Sequence, residues 1–245
     1  MANQIREEEV VCVTGANGFI GTWIVKTLLQ KHYKIHATIF PNSDPSHLFT
    51  LHPEAKSRIT IFPVNILDSN AVSSAIKNCS GVFHVASPCT LEDPTDPQKE
   101  LLEPAVQGTL NVLEASKRAG VKRVVLTSSI SAMVPNPNWP EKTAIDETSW
   151  TDVEYCKLRG KWYPSFNWDA FQHVEKPNVS CSCGDNLVRL TGFPDETQPG
   201  LTPCKDAARR LIDLGLVFTP IQDAIREAAE SLMAKGFLQR TPSQN

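Results

Sequence analysis

Apolar residues in the first half of the chain fall into short runs separated by amphipathic segments. The runs are rich in β-branched residues and have the length of buried strands. The predicted strands are Val10–Thr14, Lys34–Ile39, Arg58–Pro63, Gly81–Ala86 and Val121–Thr127. Buried apolar strands joined by helical connections are typical of parallel sheets covered on both faces. The pattern therefore predicts an α/β fold with a parallel sheet.

The segments between these strands show apolar residues at helical spacing. The predicted helices are Phe19–Leu28, Ala71–Lys77 and Pro97–Ala119. Gly120 ends the last of them as a C-terminal cap, and Pro104 predicts a late start or a kink. Residues 41–57 are expected to form a loop, because turn-forming residues cluster at their start.

The pattern is less regular in the remainder of the chain. Helices are predicted at Asp152–Trp162, at Lys205–Leu214 and from Ile221 to Leu232. Residues 164–186 show no clear period and no convincing strand. The regular alternation of strands and helices therefore belongs to an N-terminal domain, residues 1–164, and residues 165–245 are treated as a separate C-terminal part.

The charge balance argues against several classes of partner. The chain has 245 residues, with 24 Lys and Arg against 27 Asp and Glu and a formal net charge of −3. This balance gives no electrostatic reason to expect binding to nucleic acid or to an anionic membrane. Residues 1–9 lack the apolar segment of a signal peptide, and no later apolar run is long enough to span a bilayer. A cytoplasmic protein is expected.

The 7 cysteines lie at irregular spacing, which does not resemble a disulfide framework. Cys181 and Cys183 are close enough in sequence to bind a metal together. However, no histidine or second cysteine pair lies nearby at the spacing of metal ligands. We expect free thiols and no metal site.

A glycine-rich turn, Gly15-Ala16-Asn17-Gly18-Phe19-Ile20-Gly21, joins the first strand to the first helix. Gly15 and Gly18 permit positive φ and close approach of a ligand, and Gly21 permits close packing of helix on strand. The start of the helix offers N–H groups and the positive end of a dipole to a pyrophosphate. This context favours a dinucleotide site; the alternative is a tight turn without a ligand.

Ser129 and Tyr163 are candidates for the reduction of a carbonyl group. A carbonyl that accepts hydride gathers negative charge on oxygen, so it needs a proton donor and a second hydrogen bond. Tyr163 can supply the proton and Ser129 the orienting hydroxyl. Because a free tyrosine has a pKa of about 10, such a donor ordinarily needs a cation nearby. The alternatives are a helix cap for Ser129 and a core position for Tyr163.

Several motifs cover most of residues 8–164. They are Val13–Gly21, Gly81–Pro88, Glu103–Thr109, Val124–Ser129, Asp146–Trp150 and Lys161–Pro164. Together they resemble the extended short-chain dehydrogenase/reductase family, and within it the plant cinnamoyl-CoA reductase-like and dihydroflavonol reductase-like group. Glu196–Leu238 resembles the C-terminal end of that family. The resemblance implies a Rossmann-like, doubly wound parallel sheet, here incomplete and with a reduced C-terminal lobe.

The resemblance also implies roles for individual residues. The pyrophosphate would lie against Gly15, Ala16, Asn17, Gly18, Phe19, Ile20 and Gly21. Asn65 and Ile66 would flank the adenine, although the family usually has aspartate where Asn65 stands. Val85, Ala86 and Ser87 would line the nicotinamide side. Ser129 matches the catalytic serine and Tyr163 the catalytic tyrosine.

The chain departs from the family pattern after the tyrosine. The family has a lysine four residues beyond it, where this chain has Asn167. An amide can hydrogen-bond a ribose hydroxyl, but it carries no charge to lower the tyrosine pKa. We therefore expect impaired turnover.

Residues 165–190 are too few and too irregular to replace the long helix, the strand and most of the substrate lobe that follow in the family. An internal deletion is the simplest explanation. A deletion would remove a strand from the sheet and expose apolar surface, which favours self-association.

The expected cofactor is NADP, because the related enzymes mostly use NADPH; NAD is the alternative. NADP sites often have arginine after the second strand and NAD sites an acidic residue, and Thr38–Pro41 contains neither. Ser43, His36 and Lys34 are candidate partners for the phosphate that distinguishes NADP from NAD, or else ordinary surface residues.

The sequence therefore predicts a reductase of phenylpropanoid-type carbonyls, that is hydroxycinnamoyl-CoA thioesters, aromatic aldehydes or flavonoid ketones. The main alternative is a catalytically silent dinucleotide-binding or dimerising derivative of such an enzyme. A nucleotide-sugar epimerase or dehydratase would share the glycine turn and the Ser/Tyr pair. The motifs His84–Pro88 and Asp146–Trp150 disfavour it.

Overall fold

The structure is a computed structural model that describes residues 9–88, 94–129, 132–133, 136–138 and 150–159, with scattered positions between 212 and 230. The described residues up to Arg159 belong to one compact unit, and those from Ile212 to Glu230 belong to a second. The following paragraphs describe the first unit unless they state otherwise.

A parallel sheet of five strands forms the centre of the first unit, with the order β3-β2-β1-β4-β5. The strands are β1 Val10–Thr14, β2 Lys34–Ile39, β3 Ile59–Pro63, β4 Gly81–His84 and β5 Arg123–Leu126. Each predicted strand is present and every neighbouring pair is parallel. The chain passes from β3 at one edge back to β4 beside β1, so the order reverses between β1 and β4. In such sheets the crevice at the carboxyl ends of these two strands is the usual ligand site.

β4 ends at His84, whereas the sequence predicted that it would continue to Ala86. The reason is a change of hydrogen-bond partner. The N–H groups of Val85 and Ala86 donate to the side-chain oxygen of Thr14 and not to a neighbouring strand. The backbone after His84 is thus bound to the end of β1 by a side chain.

The helices of the first unit are α1 Phe19–Gln30, α2 Ala55–Arg58, α3 Ser69–Ile76, α4 Glu103–Arg118 and α5 Val153–Leu158. Asp68 caps α3 by accepting hydrogen bonds from the N–H groups of Asn70 and Ala71. A π-helical turn at Gln98–Leu102 precedes α4. Pro104 lies in the first turn of α4, where its missing N–H is tolerated, so the predicted late start is confirmed.

Two sequence predictions about helices need correction. Residues 41–57 are not simply a loop, because they contain a 3-10 turn at Ser46–Thr50 and the beginning of α2. Leu48 is fully buried in this segment, and this tertiary contact anchors a turn that has no long periodic pattern. α5 begins at Val153 with Asp152 as its cap, and Trp162 lies outside the described residues.

Helices cover both faces of the sheet, as the apolar strands predicted. One core cluster joins α1 and the 3-10 turn to β1 and β2. Its fully buried members include Val13, Val25, Leu29, Ile35 and Leu48. The cluster on the opposite face joins α3 and α4 to the sheet and includes Cys12, Val72, Ile76, Val82 and Val112. Alternate residues of β1 therefore face different helical layers.

A groove of about 950 Å³ lies beside α1 and over β4 and β5. Ile20, Trp23, Phe83 and Val125 are among its lining residues. Val125 is 48% exposed, although the adjacent Val124 packs against the core on the opposite face. Apolar surface is thus exposed on this face of the sheet. Exposed apolar surface is what we expected an internal deletion to leave. Self-association through such surface stays a prediction.

The second unit is described only at scattered positions. Ile212 and Asp213 are helical, and Gly215 has φ +86°. The N–H of Gly215 donates to the carbonyl of Ile212, which ends the helix there. Further helical positions lie between Gln222 and Glu230, within the second helix that was predicted for this region.

Candidate functional site

The glycine turn leaves the carboxyl end of β1 and leads into α1. Gly15 has φ +63°, and a Cβ atom there would lie 3.0 Å from the Cα atom of Ala86. The turn thus requires glycine at position 15 both for its conformation and for space. Gly18 has φ −76° and stands at the N-cap of α1, so the positive φ that the sequence permitted there does not occur. At Gly21 a Cβ atom would clash with the backbone of Gly15 and Ala16.

The turn offers a bare backbone surface at the start of a helix. Gly18 has no side chain to cap α1, and the first helical turn contains no acidic residue. Phe19 and Ile20 are exposed at this end of α1. Free N–H groups and the helix dipole there suit an anion such as a pyrophosphate. The residues present therefore fit the phosphate part of a dinucleotide.

The loop after β2 is attached to the glycine turn by side chains. Nδ2 of Asn17 donates to Oγ of Ser43 at 3.0 Å, and that hydroxyl donates to the carbonyl of Phe40 at 2.6 Å. The side chain of Phe40 itself is exposed at the end of β2. Because Asn17 belongs to the glycine turn, its hydrogen bond holds Ser43 beside the predicted pyrophosphate site.

The other two candidate phosphate partners are placed elsewhere. Nδ1 of His36 bonds to the carbonyl of Ala75 in α3, on the face of the sheet away from α1. Lys34 pairs with Val10 at the amino ends of their strands, whereas the glycine turn follows the carboxyl end of β1. His36 and Lys34 therefore do not lie at the phosphate site, and the exposed Lys34 fits the alternative of an ordinary surface residue.

The predicted adenine side follows β3. Oδ1 of Asn65 accepts a hydrogen bond from the N–H of Leu67, so this side chain shapes its own loop. The carbonyl of Ile66 accepts from Nδ2 of Asn111 in α4 at 2.9 Å. Ile66 also fills the space over Gly108, where a Cβ atom would lie 2.8 Å from its Cγ1. Sequence reasoning missed Asn111, whose only signal was a polar residue on the buried face of an amphipathic helix.

A buried row of polar side chains crosses the ends of β1 and β4. Nδ1 of His84 lies 2.8 Å from Oγ1 of Thr14, and Nε2 lies 3.2 Å from Oγ1 of Thr109 in α4. Burial lowers the pKa of His84 from 6.5 to about 4, so the ring is neutral near pH 7. Sequence reasoning assigned no role to this row, whose signal was polar residues at the ends of two strands and on the buried face of α4.

Ser129 follows β5 and is half-buried, and its carbonyl accepts a hydrogen bond from the N–H of Ala132. Thr127 donates to the carbonyl of His84 through both its N–H and its hydroxyl. The segment that bears Ser129 therefore begins beside the end of β4, close to Val85–Ser87. Tyr163 and Asn167 lie outside the described residues, and the roles of all these residues stay predictions.

Cys12, Cys79 and Cys156 are free thiols, as predicted, and all three are buried. Burial raises the pKa of the Cys79 thiol to about 12 and raises that of Cys12 further. Cys181 and Cys183 lie outside the described residues. Among the residues that are described, no group of three metal-ligating side chains comes together. No helix in that same part of the chain is long and apolar enough to cross a membrane. A cytoplasmic location stays a prediction.

Comparisons with known proteins agree on one family. Residues 11–163 match the NAD dependent epimerase/dehydratase family. Cinnamoyl-CoA reductase 1 of Petunia hybrida is 46% identical over 318 residues, covering 94% of this chain and 94% of that protein. The solved structure of vestitone reductase from alfalfa (Medicago sativa) is 32% identical, with a TM-score of 0.57 over 67% of this chain and 51% of its own. Gre2 of Candida albicans, solved with NADPH, is 29% identical, with a TM-score of 0.59 over the same shares.

The chain spans about half the length of the two solved structures that it matches. Its alignment with the petunia protein runs over 318 positions, more than the 245 residues of this chain. That alignment includes nearly the whole of both proteins. The petunia protein therefore has internal residues that this chain lacks, which confirms the predicted internal deletion relative to that enzyme.

The glycine turn, Ser129, Tyr163 and every strand residue except Val10 fall within the matched segment, which is more than half of the chain. The relative from petunia extends the similarity over almost all of the remainder. This chain therefore belongs to the NAD dependent epimerase/dehydratase family.

Proposed function

We propose that this chain is an NADPH-dependent reductase of phenylpropanoid-type carbonyls. Hydroxycinnamoyl-CoA thioesters, aromatic aldehydes and flavonoid ketones are the candidate substrates. One observation carries the proposal: Gly15 approaches Ala86 too closely for any side chain, at the point where the strand order reverses. A bare backbone surface at that point suits a dinucleotide. The similarity to a cinnamoyl-CoA reductase and to vestitone reductase supports the substrate class.

The residues of the site divide between cofactor and substrate. Gly15–Gly21 would hold the pyrophosphate, Asn65 and Ile66 the adenine, and Val85–Ser87 the nicotinamide. NADPH supplies the hydride when it is bound. Ser129 would orient the substrate carbonyl, and Tyr163 would donate a proton to its oxygen.

The choice of NADPH rests on the end of β2 and on the Gre2 structure, which contains NADPH. An acidic residue at this position would accept a hydrogen bond from a ribose hydroxyl and would repel a 2′-phosphate. Phe40 and Pro41 stand there instead. Asn17 and Ser43, which are hydrogen-bonded to each other, add neutral polar groups beside them.

We propose further that turnover is impaired. Asn167 stands where the resemblance places a lysine, so no charge from that position lowers the pKa of Tyr163. The internal shortening relative to the petunia enzyme is expected after Tyr163, where the resemblance places most of the substrate lobe. Both features point to weak catalysis with the cofactor site retained.

The test is thermal unfolding of the purified chain with and without NADPH, with NADH for comparison. A ligand at about 100 times its dissociation constant stabilises a folded protein by about 2.7 kcal/mol. We expect NADPH to raise the unfolding midpoint and NADH to raise it less. A cooperative transition that neither cofactor moves would overturn the proposal. Consumption of NADPH with each of the three substrate classes then identifies the activity.

A second candidate is a catalytically silent dinucleotide-binding or dimerising protein. Asn167 and the internal shortening favour it. It predicts the same shift of the unfolding midpoint with NADPH and no consumption of NADPH with any of the candidate carbonyls. The two measurements together therefore separate the candidates.

A further inference from the structure

The buried row of Thr14, His84 and Thr109 joins three elements that carry the predicted nucleotide site. Thr14 ends β1 immediately before Gly15, His84 ends β4 immediately before Val85, and Thr109 belongs to α4. All three side chains are almost fully buried, at 4% exposure or less. Buried polar groups need hydrogen-bond partners, so the direction of each bond in the row is constrained.

Counting donors and acceptors assigns those directions. Oγ1 of Thr14 accepts from the N–H groups of Val85 and Ala86, each at 3.0 Å. A hydroxyl oxygen has two lone pairs and one hydrogen, so its hydrogen goes to the third partner, Nδ1 of His84 at 2.8 Å. Nδ1 is therefore the bare nitrogen. The ring proton lies on Nε2 and is donated to Oγ1 of Thr109 at 3.2 Å.

The neutral ring suits this arrangement. Burial holds the pKa of His84 at about 4, so the ring carries one proton near pH 7. A second proton on Nδ1 would face the Thr14 hydroxyl, whose two acceptor positions are already taken. With Nδ1 of His84 accepting its hydrogen, the Thr14 hydroxyl is oriented so that both of its lone pairs face the two N–H groups.

The two N–H groups belong to the backbone that borders Gly15. The Cα atom of Ala86 lies 3.0 Å from the position of a Cβ atom on Gly15, so the two backbones are already in close contact. A small shift of Ala86 would close the space at the glycine turn or open it. Thr127 holds the carbonyl of His84 from the side of β5, through hydrogen bonds that are separate from those of the Val85 and Ala86 N–H groups.

We propose that His84 is a positioning residue of the nucleotide site. Its Nδ1 orients the Thr14 hydroxyl, and that hydroxyl holds the backbone of Val85 and Ala86 beside Gly15. The inference rests on the proposed function, because Val85–Ser87 matter to binding only if a dinucleotide lies at this turn. It predicts that the acceptor at Nδ1, and not the imidazole ring as such, maintains cofactor affinity.

Two variants test the two hydrogen bonds of the His84 ring one at a time. In His84→Asn the amide lies where Nδ1 lies, so its oxygen can still accept from Thr14. In His84→Gln the amide lies where Nε2 lies, so it can still donate to Thr109 but leaves the Thr14 hydroxyl without its acceptor. Both variants remove the imidazole, and each keeps one of its two hydrogen bonds. Their comparison therefore cancels the general effect of losing a buried ring.

The readouts are the dissociation constant for NADPH and the hydrogen exchange of the Val85 and Ala86 amides. We expect His84→Gln to bind NADPH at least about tenfold more weakly than His84→Asn, the ratio for one hydrogen bond of about 1.4 kcal/mol. We also expect the two amides to exchange faster in His84→Gln without any cofactor present. Equal affinities and equal exchange in the two variants would overturn the inference.

A measurement on the unaltered chain covers the case in which neither variant folds. Nitrogen chemical shifts of ¹⁵N-labelled histidine distinguish the two neutral tautomers. We expect the Nε2–H form of His84 at pH 7, and the Nδ1–H form or the imidazolium would overturn the inference. If the wild-type chain binds neither NADPH nor NADH, the proposed function fails, and the role of His84 in binding fails with it. If wild type binds and the variants are alike, only the inference fails.

Discussion

Gly21 in α1 lies directly against the carbonyl group of Gly15 in the preceding turn. A Cβ atom on residue 21 would be 2.8 Å from the Cα atom of Ala16 and closer still to the Gly15 oxygen. Because these are backbone atoms, they cannot move aside as the end of a flexible side chain can. The missing side chain is what allows α1 to begin so close to β1.

Gly21→Ala is therefore expected to destabilise the fold, although alanine favours helix over glycine by about 1 kcal/mol. Forcing an extra carbon into a packed region typically costs about 1–3 kcal/mol. Urea denaturation measures this loss, and titration with NADPH should show weaker binding because α1 and the turn must separate.

Gly81→Ala is the matched control for this substitution. A Cβ atom on Gly81 would lie 3.7 Å from the carbonyl oxygen of Arg123, which is an ordinary contact distance. We expect its free energy of unfolding to stay within about 0.5 kcal/mol of wild type, as for most substitutions that create no clash. Equal losses in the two variants would contradict the role of close packing at Gly21.

His84 is expected to make stability depend on pH below neutrality. Its pKa is about 4 in the folded chain and 6.5 as the ordinary value, because burial disfavours the charged ring. Between pH 4 and pH 6.5 the unfolded chain therefore binds a proton on His84 that the folded chain does not bind. The resulting penalty is absent above pH 6.5, grows as the pH falls and is complete below pH 4. It amounts to about 3 kcal/mol.

Urea denaturation at intervals from pH 7.5 to pH 4 measures this dependence. The control is His84→Asn, which has no titrating ring at this position and should lack that part of the decline. Other groups that titrate in this range contribute equally to both chains, so the difference between the two curves isolates His84. Parallel curves would show that His84 does not titrate differently in the folded and unfolded chains.

The exposed side chain of Phe40 predicts only modest discrimination between NADPH and NADH. Phe40 stands just after β2, where an arginine commonly pairs with the 2′-phosphate of NADP. We expect Phe40→Arg to strengthen NADPH binding by about tenfold or more, since a charge-assisted hydrogen bond contributes about 1.5–3 kcal/mol. NADH affinity should change little, and fluorescence titration with both cofactors measures the ratio.

Phe40→Gln is the control, because it introduces a polar side chain without a charge. It should leave the ratio of the two dissociation constants near that of wild type. If Phe40→Arg gives the same ratio as Phe40→Gln, the 2′-phosphate does not lie at the end of β2.

The strands of this fold were predictable because each lies in a short run rich in apolar residues, and β2 was predicted to the residue. The segment around Leu48 was not, because a 3-10 turn has too few residues to show a period and is held by a tertiary contact. The end of β4 was predicted two residues too late for a similar reason. The N–H groups that would have continued β4 donate hydrogen bonds to the hydroxyl of Thr14, some 70 residues earlier in the chain.

In the candidate site, too, the features set by neighbouring residues were predictable and those set by distant residues were not. The glycine turn was predictable because its conformation depends on residues adjacent in sequence, yet the φ of Gly18 was not, since glycine permits either sign. From proximity in sequence, His36 and Lys34 could be either phosphate partners or ordinary surface residues, and strand direction and alternation place them away from the glycine turn. The partners of His84 come from β1 and α4, so no local pattern reveals them.

Asn167→Lys is expected to raise the turnover number more than about tenfold. A unit charge about 4 Å from the Tyr163 oxygen is worth about 4 kcal/mol at an effective dielectric constant of about 20, and even half of that exceeds a tenfold change in rate. The measurement is NADPH consumption at saturating carbonyl substrate, and the pH profile should shift toward lower pH because the added charge lowers the pKa of the tyrosine. Asn178→Lys makes the same chemical change elsewhere and should leave turnover unaltered. Equal turnover in wild type and Asn167→Lys would show that the missing lysine does not limit this chain.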